Sequence, residues 1–139
     1  MIVLDTNILS EIWRARPSAK VMTWLRSQPN AALFVTTITE AEIFYGIALL
    51  PNGQRRRALE AVAQQMFTDT FAGRTLPFDS AAAREYAILA ASRRRAGRSI
   101  AEADAQIAAI SRSRDAILAT RNLDDFAGCN IELVDPWSA

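Results

Sequence analysis

Four short runs constrain this chain more than any other feature: Ile2-Val3-Leu4, Leu33-Phe34-Val35, Ala116-Ile117-Leu118-Ala119 and Ile131-Glu132-Leu133-Val134. Each is rich in apolar and β-branched residues and too short to be a helix, so each reads as a buried strand. Between them lie longer stretches with helical periodicity. Strands alternating with helices predict an α/β domain with a mainly parallel central sheet. Helices outweigh strands, and no internal repeat or linker divides residues 1–139, so a single domain is expected.

The intervening stretches carry their own start and stop signals. Asp5-Thr6-Asn7 offers cap residues for a helix reaching about Trp13. Ser18 opens a second, Ala19 to Arg26, with Val21, Trp24 and Leu25 on one face, and Pro29-Asn30 breaks it. Thr39 is expected to cap a third helix over 40–50, ended by Pro51-Asn52-Gly53. A fourth covers Arg55 to Phe67, and Arg74 to Phe78 is a brief extended piece. Ser80 to Ala96 is a long Ala-rich helix closed by Gly97. Ser99 opens the last, to about Arg112.

Composition removes whole classes of chemistry. The chain has no histidine and one cysteine, Cys129. That excludes a Ser–His or Cys–His dyad, a His- or thiolate-ligated zinc site and an intrachain disulfide. Catalysis must use carboxylates, hydroxyls, arginines or a hard metal. No apolar run approaches the roughly 18 residues of a membrane helix. The start, MIVLDTN, lacks the pattern of a secretion signal, so a cytoplasmic location is expected. Of 16 basic residues only Lys20 is lysine. Arginine grips phosphate and carboxylate bidentately, although a GC-rich genome favours arginine codons equally well.

Carboxylates fall where such a fold places function. Open parallel sheets work at the carboxyl ends of their strands. Asp5 directly follows the first run, and Asp124 and Asp125 lie just beyond the third. Glu42 and Asp104 stand near helix starts. Asp104 shares a helix face with Ile107, Ala108 and Ser111, and an ionised carboxylate among apolar neighbours demands a partner or a metal. Glu42 shares its face with Tyr45, Gly46 and Leu49, of which Tyr45 and Leu49 should be partly buried. Each acid also has a purely structural role open to it. Asp5 suits an N-cap, Glu42 a capping box with Thr39, and Asp104 the positive end of its helix. Ser99 and Glu102 form a second capping-box pattern. Should Asp5, Glu42 and Asp104 converge, their repulsion calls for a cation, and oxygen ligands select Mg²⁺ or Mn²⁺ over zinc.

These residues resemble a known family. MIVLDTNILSE, TITEAEIFYGI, AGRSIAEADAQIAAIS and LATRNLDDF…IELVDPW, in that order, look like PIN-domain proteins, and specifically VapC-type toxins of the FitB-like subgroup. The resemblance spans nearly the whole chain. It implies a PIN-like three-layer sandwich, a parallel sheet between helices, and an endoribonuclease that cleaves structured RNA such as tRNA or rRNA. It also implies a Mg²⁺ site, with Mn²⁺ as a substitute. Asp5 and Asp104 would be direct ligands, Glu42 would bind directly or through water, and Asp125 would be the fourth acid. Some relatives carry Asp where Asn122 stands, which makes Asn122 a polar site-liner here. Implied partners are a cognate VapB-type antitoxin, a second copy of the chain, the RNA substrate and, through the antitoxin, operator DNA.

The substrate must also be held. Thr6 brings a hydroxyl beside Asp5. Arg93-Arg94-Arg95 with Arg98 form one basic cluster and Arg55-Arg56-Arg57 another; both are candidates for RNA phosphates and both have ordinary roles at helix ends. Trp13, Trp24 and Tyr45 suit core or dimer contacts, and Trp137 suits packing of the tail. Two rival classes stand beside the nuclease. An aspartyl-phosphate phosphatase needs an acid where this chain has Asn7. A non-enzymatic PIN-like binding module is favoured by Asn122.

Overall fold

A computed structural model describes all residues, 1–139. Ile2-Val3-Leu4 becomes β1 (Ile2–Leu4), the central strand. It pairs in parallel on both sides, Val3 lying opposite Phe34 of β2 (Leu33–Thr36) and Leu118 of β4 (Ile117–Ala119). The short β3 (Thr75–Leu76) extends the sheet beyond β2, and β5 (Leu133–Val134) extends it beyond β4, again in parallel. The order is β3-β2-β1-β4-β5. The chain winds outward on one side of β1 and then on the other. The winding therefore reverses between β1 and β4, and a crevice opens at their carboxyl ends.

Strand alternation builds the layers. Val3 and Leu118 face one side, where Leu89 of α5 (Ser80–Arg95) and Ile107, Ala108 and Ile110 of α6 (Glu102–Ser113) close one core. Leu4, Val35 and Ala119 face the other. There Ile8 and Leu9 of α1 (Thr6–Ile12), Val21 of α2 (Ala19–Ser27), Ile43 and Ile47 of α3 (Thr37–Ala48) and Ala63 of α4 (Gln54–Gln65) close the second. A π turn, Met66–Thr70, prolongs α4, and the four-residue α7 (Leu123–Phe126) follows β4. The expected parallel sheet between helical layers is what forms. No helix is long and apolar enough to cross a membrane.

Three local expectations fail. Thr36, not Thr39, caps α3: the Thr39 backbone N–H donates to Thr36 Oγ1 at 3.1 Å, and Thr39 lies buried inside the helix. The Thr39–Glu42 capping box therefore cannot form. Ser99 caps nothing, because α6 starts at Glu102 after Ala101 with no side-chain cap. Gly97, at φ 73°, ends α5 in a left-handed turn that bonds Arg98 N to Arg93 O at 2.9 Å, and this turn carries the chain past Ser99. Tyr45 and Leu49 are each 67% exposed. The opposite face of α3, with Thr39, Ile43 and Ile47, is the one turned inward. Trp13 and Trp24, by contrast, pack half-buried against the second core.

Candidate active site

Asp5 unites the two roles its position suggested. It is the N-cap of α1, its Oδ1 accepting from Thr6 N at 2.8 Å. It is also only 4% exposed, at the mouth of the crevice between β1 and β4. Its other oxygen accepts from Thr120 Oγ1 at 2.8 Å, across 115 residues of sequence. Burial raises its pKa; the bonds from Thr120 and Thr6 oppose that rise, and the charges of Glu42 and Asp125 add to it. Thr120, fully buried just past β4, also accepts from Asn122 N at 3.1 Å and Asn7 Nδ2 at 3.4 Å. One hydroxyl thus ties Asp5, Asn7 and the β4–α7 loop together. The remaining amide oxygen of Asn7, Oδ1, is buried without a hydrogen-bond partner.

Asp104 enters from the first turn of α6. Ile107, Ala108 and Ser111 on its face are all fully buried, as the spacing requires. Its pKa is pushed up to about 6, by burial first and then by the charges of Asp5, Asp125 and Glu42. Glu42 stands at the exposed edge, its Oε1 accepting from Thr6 Oγ1 at 2.8 Å. Thr6 Oγ1 lies 2.9 Å from Thr39 Oγ1, which lies 3.4 Å from Thr36 Oγ1. Each hydroxyl has one proton. With Thr6 donating to Glu42, Thr39 must donate to Thr6, and Thr36 to Thr39. Glu42 is therefore held by a directed chain of hydroxyls rooted in the core.

Asp5, Glu42 and Asp104 line one cavity of about 490 Å³, together with Thr6, Asn7, Ser10, Glu11, Arg14, Arg121, Asn122 and Trp137. Asp125 lines an adjoining hollow with Arg121, Asn122 and Asp124, and its charge still reaches Asp5 and Asp104. No three acidic side chains are gathered tightly enough to grip an ion by themselves. A larger cavity, about 540 Å³, lies elsewhere between α1, α2 and α4; it is mostly apolar and has no carboxylate in its lining.

The basic clusters singled out in the sequence do not line this cavity. Arg93 is 7% exposed and turned inward. Its guanidinium donates to the carbonyl oxygens of Arg98, Asp125 and Ala127 at 2.7, 3.0 and 2.6 Å. It therefore clamps α7, which carries Asp125, through Nε and Nη1. Arg98 is exposed, with one weak contact to Asp124 O at 3.5 Å. Arg56 is bonded to Glu60, Asn52 and Leu50 O, all on or beside α4. The arginines that do line the cavity are Arg14 and Arg121. Sequence reasoning passed over them, along with Glu11, and took Asn7 only as a cap candidate and as the place where a phosphatase acid is missing. A signal existed for three: Asn7, Glu11 and Arg14 follow Asp5 at helical spacing, a polar stripe on a mostly apolar helix. None existed for Arg121 and Trp137, which the fold alone brings to the pocket.

The acids, amides and hydroxyls of this set offer oxygen, and no thiol, thioether or imidazole lines the cavity. Asp5 and Asp104, both with raised pKa and both bordering one cavity with Glu42, would be stabilised in the ionised form by a hard divalent cation. The unpartnered Asn7 Oδ1 is one more neutral oxygen suited to it. The residues present thus fit Mg²⁺ or Mn²⁺.

Comparison with known proteins assigns the family. A profile of the PIN domain matches residues 2–128. The VapC ribonuclease Y4jK of Sinorhizobium fredii is 38% identical over 137 residues, covering 99% of this chain and 98% of that protein. Toxin FitB of Neisseria gonorrhoeae is 37% identical over 137 residues, covering 99% of each. The solved structure of FitAB bound to a DNA fragment superposes with a TM-score of 0.92 at 37% identity, over 99% of this chain and 96% of that one. The chain belongs to the PIN-domain family.

Proposed function

We propose that this chain, acting as one PIN domain, is a Mg²⁺-dependent endoribonuclease and the toxin of a VapBC-type toxin–antitoxin pair, working in the cytoplasm on structured RNA such as tRNA or rRNA. The observation that carries the reading is the meeting of Asp5, Glu42 and Asp104 in one cavity at the reversal point of the sheet. The names of the relatives, a VapC ribonuclease and a toxin, support it. So does the solved FitAB–DNA assembly, which supports a cognate VapB-type antitoxin and, through it, operator DNA. A homodimer completes the picture, with exposed Tyr45 and Leu49 as apolar surface for it.

Asp5 and Asp104 would hold the ion, with Asn122 and Thr6 lining the pocket around it. Bound there, Mg²⁺ or Mn²⁺ supplies charge neutralisation and Lewis acidity to a phosphodiester that the acids alone would repel. Thr120 and Thr6 fix both oxygens of Asp5, so its carboxylate is preorganised. Glu42, with Oε1 bonded to Thr6, has Oε2 free to orient a water for in-line attack and take its proton. Asp125, steadied through the Arg93 clamp, adds the fourth negative charge. Water attack with the 3′ oxygen as leaving group would give a 5′-phosphate and a 3′-hydroxyl, the product ends that the family resemblance implies, and needs no histidine.

The purified chain should cut a mixed tRNA pool in Mg²⁺, stop in EDTA, and lose at least about a hundred-fold in rate on Asp5→Asn or Asp104→Asn. Cleavage that persists in both variants would falsify the assigned site. The second reading is a PIN-like module that binds RNA or a partner without cutting it. Asn122 favours it, since a neutral amide lines the cavity where some relatives have an acid. Metal-independent RNA binding without cleavage would select it.

A further inference from the structure

The acidic pocket contains two cations, and neither pairs with Asp5, Glu42, Asp104 or Asp125. Arg121 lines it from the end of β4 and Arg14 from just beyond α1. The guanidinium of Arg121 lies 5.1 Å from the centroid of the Trp137 ring. Trp137 is itself held by its backbone N–H, which donates to Asp135 Oδ1 at 2.9 Å. The flat ring fixes the fork without using its N–H groups. Arg121 pairs with no carboxylate within 4.0 Å, although it stands among several. Arg14 is 66% exposed, and one of its nitrogens reaches Glu11 Oε1 at 3.3 Å. Glu11, 5% exposed, is fixed in turn by Ser18 N at 3.0 Å from its other oxygen. Each arginine thus has one contact from behind, Trp137 for Arg121 and Glu11 for Arg14, and both border the pocket.

A guanidinium that the neighbouring acids leave unpaired, as Arg121 is, suits an anion that comes to those acids, and Arg14 spends one nitrogen on Glu11 and keeps its other donors. Arg121 and Arg14 stand on separate elements but border the same 490 Å³ cavity, so one backbone strand can meet both. The other arginine clusters lack this placement. We propose that Arg14 and Arg121 are the phosphate-binding forks of this site, seating the RNA backbone on the two sides of the phosphate to be cut. Trp137 serves as the platform that holds the second fork flat. This rests on the pocket being an RNA-cleaving site.

The test is fluorescence anisotropy with a 5′-fluorescein 20-nucleotide RNA and the full chain carrying Asp104→Asn to suppress cleavage. Arg14→Gln and Arg121→Gln are each expected to weaken binding about ten-fold. Each should also reduce the slope of log affinity against log salt by about 0.7, the signature of one phosphate contact on a single strand. Arg84→Gln removes an equal charge at the opposite end of α5 from Arg93, and should leave affinity and slope unchanged. Arg121→Lys keeps the charge but not the stacked fork. It should retain the slope while losing affinity, and it serves if Arg121→Gln does not fold. Unchanged affinity and slope in both glutamine variants, in a chain that cuts RNA, would overturn the inference alone. RNA binding that depends on both arginines, without metal-dependent cleavage in the parent chain, would sustain the forks and overturn the nuclease reading. A parent chain that binds no RNA would overturn both.

Discussion

Asp104 concentrates the conflict between stability and function. With a folded pKa near 6 against 3.8 for the free group, it binds its proton more tightly in the folded chain than in the unfolded one. Without metal, the fold therefore weakens as pH rises from about 4 through 6, where the unfolded chain gives up this proton first. Asp104→Asn removes the charge and keeps the shape. The metal-free variant should be more stable than the parent at pH 7.5, by on the order of 1 kcal/mol once solvent screening of a half-buried group is allowed for. The gain should vanish near pH 4. Urea midpoints at the two pH values measure this, and a variant less stable at pH 7.5 would mean that Asp104 is structurally paired. Thr120→Val makes the complementary change. It leaves Asp5 Oδ2 without a donor and Asn122 N without an acceptor, and should destabilise the chain by about 1–3 kcal/mol. Asp5 and Asp104 were visible in the sequence because each is an acid at the end of an apolar element. Thr120 reads in the sequence only as a hydroxyl one position past the run ending at Ala119. That it binds Asp5 depends on β1 and β4 being neighbours, which no local pattern states.

At the scale of elements, what failed was the choice among competing caps. TTITE contains three threonines, and the box pattern selects the third. The strand–helix junction instead needs its cap where the chain leaves the sheet, at Thr36, which frees Thr39 and Glu42 for the hydroxyl chain to Thr6. The arginine cluster misled for a related reason. A run of three arginines at a helix end reads as surface, yet helical rotation turns Arg93 inward while Arg94 and Arg95 stay exposed. Its guanidinium gathers three carbonyl oxygens and joins the end of α5 to α7. Arg93→Met keeps the aliphatic stem and removes every donor. The expected loss is roughly 2–4 kcal/mol, since buried carbonyls left unpaired each carry a desolvation penalty. A urea midpoint within error of the parent would show that water replaces the clamp. Arg93→Lys, which can satisfy fewer acceptors in the same place, should fall between the two.

At the scale of the whole molecule, the four strand runs and their spacing were enough to specify a parallel sheet between helices, because period-two burial of Val3 and Leu4 on opposite faces requires a layer on each side. Strand order was not specified by them, and strand order is what brings Asp5 and Asp104, 99 positions apart, to one cavity. The same convergence would make the proposed ion part of the fold's energetics. A ligand that binds only the folded chain stabilises it by mass action, about 2.7 kcal/mol at a hundred times its dissociation constant. Binding requires Asp104 ionised, so the effect must fade as pH drops below its pKa of about 6. Saturating Mg²⁺ should therefore raise the melting temperature of the full chain at pH 7.5 by several degrees. It should do much less at pH 5, and nothing comparable in the Asp5→Asn, Asp104→Asn double variant. Differential scanning fluorimetry reads all three conditions without any RNA present. A Mg²⁺ shift equal at both pH values, or one that survives in the double variant, would locate the ion away from these carboxylates and separate the metal from the proposed chemistry.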